Sequence, residues 1–289
     1  MKNSQNTLSD IYSNYSGHVS DKWDIYLHVY DRTLSEFRDQ AVNLLEIGVQ
    51  NGGSLQIWSD FFLNAKNILG CDVNPDCKQI IYTNQKIKLV IGDINTTETA
   101  EKIFSYSPEL DIIIDDGSHT SSDIINSFVR YFPRLSYGGI YIIEDLHCSY
   151  WREFEGGLNC AASSMNFLKK LVDVINYEHW GLPISKVDYL KEFFISSGSL
   201  EDRVLADIHS IEFVNSLCIV TKRPPSENVL GIRHVVGTEA LVVRNQDFNG
   251  TYSKALAQES IMTDAQDKDS IIDALKLEID ALKSKLQEA

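Results

Sequence analysis

The chain has 289 residues, of which 43% are hydrophobic and 23% charged, the balance of a soluble globular protein with one substantial core and some appendages. Its formal net charge of −15 argues against a nucleic-acid partner, because phosphate binding needs a basic face. No run approaches the ~20 apolar residues of a membrane span, the polar stretch Met1 to Asp10 lacks the apolar centre of a signal peptide, and Cys71, Cys77, Cys148, Cys160 and Cys218 form no C-x-x-C pair. These features predict a cytoplasmic protein with reduced thiols.

Residues 1–40 read as an N-terminal helical lid with an aromatic face of Tyr12, Tyr15, Trp23, Tyr26, Tyr30 and Phe37. Within it, Ser20 or Asp21 can cap a helix, and Lys22 beside Trp23 is placed to line the mouth of a ligand pocket. A core over 41–222 opens with the apolar strand Leu44-Leu45-Glu46-Ile47, which runs into Gly48-Val49-Gln50-Asn51-Gly52-Gly53-Ser54. Glycines at such a turn let backbone N–H groups approach a ligand, and the following helix offers its positive N-terminus. A pyrophosphate loop needs G-x-G-x-x-G, which is missing here. Glu46 would repel a pyrophosphate and suits a cationic, amine-bearing ligand such as S-adenosylmethionine. A plain strand-to-helix turn also wants glycine, so the loop alone does not decide.

Four more apolar strands end in acids: Asn67 to Asp72, Ile87 to Asp93, Leu110 to Asp116 and Gly139 to Asp145. Runs this apolar are buried on both faces, and helices expected near 54–64, 76–84, 97–106, 121–134 and 163–177 make the connections right-handed crossovers of a parallel α/β sheet. Ligands bind beyond the carboxyl ends of such strands. Asp72 lies about 20 residues after the glycines, where a carboxylate takes both ribose hydroxyls, and Asp93 suits the adenine side. With Glu46, Gly48, Asn51, Gly52, Ser54, Asp115 and Lys22 they form the candidate cofactor set. Residues 146–160, rich in glycine and aromatics, read as a long loop that carries substrate contacts.

Ala206 to Phe213 and Leu217 to Lys222 form a hairpin pattern, which gives the sheet an antiparallel end. An extension over 223–257, with a short strand pair or extended wrap at Val229 to Val243, leads into a polar linker over 258–270. The segment 271–289 carries Ile272, Leu275, Ile279, Leu282 and Leu286 at heptad spacing. Isoleucine at a and leucine at d favour a parallel coiled-coil dimer, so a homo-oligomer is expected.

Asp115-Asp116-Gly117-Ser118-His119 sets two carboxylates and an imidazole at one strand tip, with Glu144 and Asp145 on the next strand. Asp116, Glu144 and Asp145 can present three oxygen ligands to a hard divalent cation. His119 is placed to take a proton from an acceptor alcohol. The plainer alternative is that Asp115 caps a helix and Asp145 solvates a loop.

In order and spacing, LLEIGVQNGGS, CDVNP, IIIDDGSH and GGIYIIEDLH resemble the metal-dependent sugar O-methyltransferases typified by the mycinamicin (macrolide deoxysugar) enzymes, over roughly residues 18–222. The resemblance implies a Rossmann-like, S-adenosylmethionine-dependent methyltransferase fold whose mostly parallel sheet ends in that hairpin. It implies magnesium on Asp116, Glu144 and Asp145, His119 as general base, and Glu46, Gly48, Asp72 and Asp93 at the cofactor. The terminal heptad departs from the family and points to a bacterial glycan or polysaccharide acceptor, with pairing or fusion to glycosyltransferase machinery. The alternatives are a small natural-product acceptor, macrolide or phenolic glycoside, and an NAD-dependent sugar-nucleotide oxidoreductase, which the missing G-x-G-x-x-G disfavours.

Overall fold

The computed structural model describes residues 6–194 and 200–259, with Lys276 and Ile279 beyond them. Lys276 and Ile279 are helical, and the rest of the heptad expected over 271–289 lies outside the described residues. The elements in chain order are α1 (Leu8–Ser13), α2 (Asp24–Leu34), β1 (Asn43–Ile47), α3 (Gly53–Phe61), β2 (Asn67–Asp72), β3 (Ile87–Ile91), α4 (Thr97–Tyr106), β4 (Leu110–Asp115), α5 (Ser121–Tyr131), β5 (Leu135–Ile143), α6 (Ser164–Ile175), α7 (Lys186–Leu190), α8 (Asp202–Leu205), β6 (Ile208–Val214) and β7 (Leu217–Lys222). The seven strands form one sheet in the order β3-β2-β1-β4-β5-β7-β6. Strands β1 to β5 pair in parallel, while β7 runs antiparallel to both β5 and β6. The mostly parallel α/β sheet with an antiparallel hairpin is therefore the architecture of this chain.

Side chains alternate between the two faces of a strand, and both faces are dry here. Leu44, Ile112, Ile114, Ile140 and Ile142 share one face with Leu8, Tyr26, Tyr30 and Leu34 of the N-terminal helices and with Trp58 of α3. Leu45, Ile47, Ile113, Tyr141 and Ile143 share the other with residues of α4, α5 and α6. The N-terminal segment is thus part of the core. Helix α1 is started by a capping box in which Thr7 and Asp10 each satisfy the other's backbone N–H.

Two expectations from sequence are corrected. The helix expected near 76–84 is only a 3₁₀ turn, Pro75–Gln79, started by the Asn74 side chain accepting from Asp76 N. The chain beyond it is drawn back to the glycine loop, where the Tyr82 hydroxyl donates to Gly52 O at 3.0 Å. Of the two alternatives for 229–243, a short strand pair or an extended wrap, the strand pair does not form: the segment makes one isolated antiparallel bridge, Ile232 to Tyr252.

The chain divides into two units, one taking in the residues up to Tyr177 with Ser185–Leu230, the other Glu178–Ile184 and the chain from Gly231 on. The sheet belongs to the first. In the second, Gln258 ties the two pieces through bonds to Trp180 O at 2.8 Å and Gly181 O at 2.9 Å. Among the described residues no helix is long and apolar enough to cross a membrane.

Phe128 is the hub of the face under α5, with ring centroids 4.8 Å from Phe132, 5.2 Å from Tyr141 and 5.6 Å from Phe167. It is fully buried. Phe128→Ala is expected to lower unfolding free energy by about 3–5 kcal/mol, read from urea denaturation; a loss below about 1 kcal/mol would show that the face collapses onto the void.

Candidate active site

The sheet order reverses between β1 and β4, and the crevice at the carboxyl ends of such neighbours is where α/β sheets bind ligands. A cavity of ≈ 570 Å³ lies there. Its lining includes Lys22, Gly48, Asp72, Asp93, Asp116 and Asp145. The floor needs glycine at 48: φ is +89° and a Cβ would overlap the carbonyl oxygen of Asp116, so only a bare Cα lets the β1 and β4 turns pass.

Alternation decides where the acids point. Glu46, Asp116 and Glu144 continue the parity of Leu44, Ile114 and Ile142, and so turn to the face covered by the N-terminal helices. Three carboxylates on adjacent strands would repel one another if left alone. Lys22, immediately before α2, supplies the counter-charge: its Nζ lies 2.5 Å from Asp116 Oδ2, 2.8 Å from Glu144 Oε1 and 3.6 Å from Glu46 Oε1. Burial alone would lower the ammonium's pKa, but the carboxylates of Glu144, Asp116 and Glu46 more than offset this and hold it well above the usual lysine value. Tyr30 donates to Glu144 as well. Ser54 Oγ and Trp58 Nε1 donate to Glu46 Oε2 at 2.7 and 3.2 Å. Burial raises the pKa of both Glu46 and Glu144, with Lys22 opposing it. Glu46 Oε1 makes no hydrogen bond and faces only the Lys22 ammonium, at 3.6 Å.

The neighbouring acids go the other way. Asp115 is buried with the Ser127 and Tyr141 hydroxyls as donors, and burial pushes its pKa up to about 6 against those bonds. Asp145 leaves β5 in a left-handed conformation, φ +53°, so its carboxylate meets Trp23 Nε1 at 3.0 Å and the Tyr26 hydroxyl at 2.8 Å. His119, also left-handed at φ +59°, brings Nε2 to 3.7 Å from Asp145 Oδ2. One ligand atom each from Asp116, His119 and Asp145 lies within 4.8 Å of the others. Two hard oxygens and an imidazole, half-buried, suit a divalent cation.

Of the residues singled out from sequence, Lys22, Gly48, Ser54, Asp72, Asp93, Asp115, Asp116, His119 and Asp145 line the cavity. Glu46, Asn51, Gly52 and Glu144 do not. Glu46 and Glu144 lie beneath it on Lys22, and Asn51 is exposed. The glycine pair serves the protein itself: a Cβ at Gly52 would strike the Tyr82 hydroxyl, one at Gly53 the backbone of His18 and Val19, and Gly53 N donates to Val19 O at 3.1 Å. Asp72 Oδ2 accepts from Val49 N at 2.8 Å and Gln50 N at 3.0 Å, which fixes the loop shape. The geometry groups His119 with Asp116 and Asp145, where the sequence had suggested Glu144. Sequence reading missed Asn74 and Asn95 on the cavity wall; each follows a strand-end acid by two residues, and each backbone N–H donates to that acid at 2.8 Å, the signature of an Asx turn.

Residues 45–146 match the family described as a methyltransferase domain. The chain is 34% identical over 173 residues to the 8-demethyl-8-alpha-L-rhamnosyl tetracenomycin-C 2'-O-methyltransferase of Streptomyces olivaceus, covering 56% of this chain and 45% of that protein. It is 36% identical over 159 residues to the mycinamicin VI 2''-O-methyltransferase of Micromonospora griseorubida, covering 52% and 39%. The chain therefore spans less than half the length of these curated relatives. Among solved structures it resembles the MycE methyltransferase in complex with Mg, SAH and mycinamycin VI, with a TM-score of 0.62 and 28% identity over 80% of this chain and 57% of that one. The resemblance to sugar O-methyltransferases read from the motifs holds, and the fold is the Rossmann-like methyltransferase fold.

Removing Lys22 leaves the buried carboxylates of Glu46 and Glu144 and the half-buried one of Asp116 without a counter-charge. Lys22→Met is expected to cost about 3–5 kcal/mol of unfolding free energy, and adding Glu144→Gln is expected to recover part of it, because one buried charge then disappears. Equal stability of Lys22→Met and the native chain in urea would mean that water already screens these acids.

Proposed function

We propose that this chain is an S-adenosylmethionine-dependent, divalent-metal-dependent O-methyltransferase acting on a sugar hydroxyl of a glycosylated small natural product. The observation that carries the reading is the convergence of strand-end carboxylates on one cavity, at a switch point without a pyrophosphate fingerprint, beside the Asp116, His119 and Asp145 cluster. The relatives support it through their names, which specify O-methylation of rhamnosyl and olivosyl groups. Their names fit the small natural-product glycoside better than the polysaccharide acceptor expected from the terminal heptad, which they do not support. Neither a homo-oligomer nor a glycosyltransferase pairing has support among them.

S-adenosylmethionine supplies an electrophilic methyl group on a sulfonium, and a divalent cation supplies positive charge that favours the ionised form of an acceptor hydroxyl. The chain's own residues do the rest. In this reading Asp72 takes the ribose hydroxyls and Asp93 the adenine side. Gly48 keeps the floor low, and Lys22 holds Asp116 in place while its charge limits repulsion among the acids. Asp116 and Asp145 are common to the metal set expected from sequence and to the one grouped by geometry, and these two would hold the cation. His119 stands outside the ligand pair, its Nε2 accepting the hydroxyl proton, and fixed orientation of donor and acceptor supplies most of the remaining rate.

The test is transfer of labelled methyl from S-adenosylmethionine to a rhamnoside. Excess chelator is expected to abolish transfer while S-adenosylhomocysteine still binds; full activity in chelator would remove the metal from the mechanism. His119→Ala is expected to lower turnover about 10²–10⁴-fold with metal affinity retained. Loss of metal binding in that variant would make His119 a ligand instead of the base.

A further inference from the structure

On the Asp145 side of the cluster, aromatic rings follow one another around the strand edge. Trp23 stands edge-on to His147 with centroids 5.9 Å apart, His147 to Trp151 at 5.1 Å, Trp151 lies 6.1 Å from Phe154, and Phe154 6.4 Å from His119. The two indoles are unusually open: Trp23 is 59% exposed and Trp151 50%. Exposed indole forgoes the burial free energy that drives such side chains into cores, at about 25 cal/mol per Å².

The loop that carries Trp151 and Phe154 is firmly held. Leu146 and Cys148 are buried, and Leu146 N donates to Ser216 O at 2.9 Å. Gly156 N and Gly157 N return to Trp151 O and Ser149 O, each at 3.0 Å. Gly156 sits where a Cβ would overlap Ser149 O, and Glu155, left-handed at φ +56°, accepts from Ser122 N at 3.0 Å at the start of α5. On the far side, Trp23 is fixed by its bond to Asp145 Oδ1. Apolar faces displayed on a held frame, beside carboxylates, match a ligand that is apolar on one face and hydroxylated at its edge.

We infer that Trp23 and Trp151 are specificity-determining residues of an acceptor subsite, on which the C–H face of a six-membered sugar ring stacks while a ring hydroxyl is turned to Asp145 and His119. This rests on the methyl-transfer reading above. The stacking faces select the ring and its presented hydroxyl; they take no part in holding the methyl donor.

Saturation-transfer NMR of methyl α-L-rhamnopyranoside with the full chain, Mg²⁺ and S-adenosylhomocysteine tests the subsite without turnover. The native chain is expected to bind the probe, and Trp151→Ala and Trp23→Ala each to weaken it about tenfold or more, with Trp151→Phe retaining most of the affinity. Calorimetric affinity for S-adenosylhomocysteine is expected to stay native in all three, which also reports that they fold. In the transfer assay the alanine variants are expected to raise KM with kcat nearly unchanged. Native probe affinity in both alanine variants, or no binding by the native chain, overturns the subsite. Failure of the native chain to bind S-adenosylhomocysteine overturns the methyl-transfer reading instead, and the probe titration repeated without it still decides the rim.

Discussion

The structure depends on one buried ammonium. Side-chain alternation sends Glu46, Asp116 and Glu144 to the same face of three adjacent strands, at their carboxyl ends, and no apolar packing can neutralise them there. Lys22 reaches all three from a segment that is remote in sequence. The interaction therefore does two things at once: it makes the acidic strand edge compatible with a folded core, and it docks the N-terminal helices on the sheet. Removing one partner of such a group is more damaging than never having built it, because a buried charge is left uncompensated.

Consecutive acids at one strand tip thereby acquire different work. Asp116 and Glu144 face Lys22, whereas Asp115 turns into the opposite layer and Asp145 swings outward toward Trp23 and His119. The outward turn needs left-handed backbone at both His119 and Asp145, a conformation that non-glycine residues adopt at a cost and that clusters at functional positions. The network beneath is tied together by one ammonium, and the groups above it, Asp145, His119 and the cavity wall, line the cavity. The aromatic loop after β5 extends the same edge with apolar faces, so charge and stacking surface lie side by side.

Much of this was legible in the sequence, for identifiable reasons. Apolar runs ending in acids specify buried parallel strands, and the topology of such sheets puts their carboxyl ends on one edge, so the cavity wall at Asp72, Asp93 and Asp116 could be read directly. The parity of Leu44, Ile114 and Ile142 already contained the direction of Glu46, Asp116 and Glu144, but parity carries no information about the cation that answers them. The partnership of Lys22 spans 94 and 122 residues to Asp116 and Glu144, a separation that only tertiary packing bridges. For the same reason the room that Gly52 and Gly53 leave for Tyr82 and for His18 and Val19 could not be read from the loop itself. The shortened turn at Pro75–Gln79 followed from a tertiary bond, Tyr82 to Gly52, overriding local helix propensity.

Asp116 stands at the junction of the two groups: Lys22 pairs with it together with Glu46 and Glu144, and with Asp145 it forms the proposed cation site. Anomalous diffraction from crystals grown with Mn²⁺ and S-adenosylhomocysteine measures it most directly. An anomalous peak is expected in contact with the carboxylates of both Asp116 and Asp145. No peak there, or one bound only at other carboxylates of the surface, would contradict it.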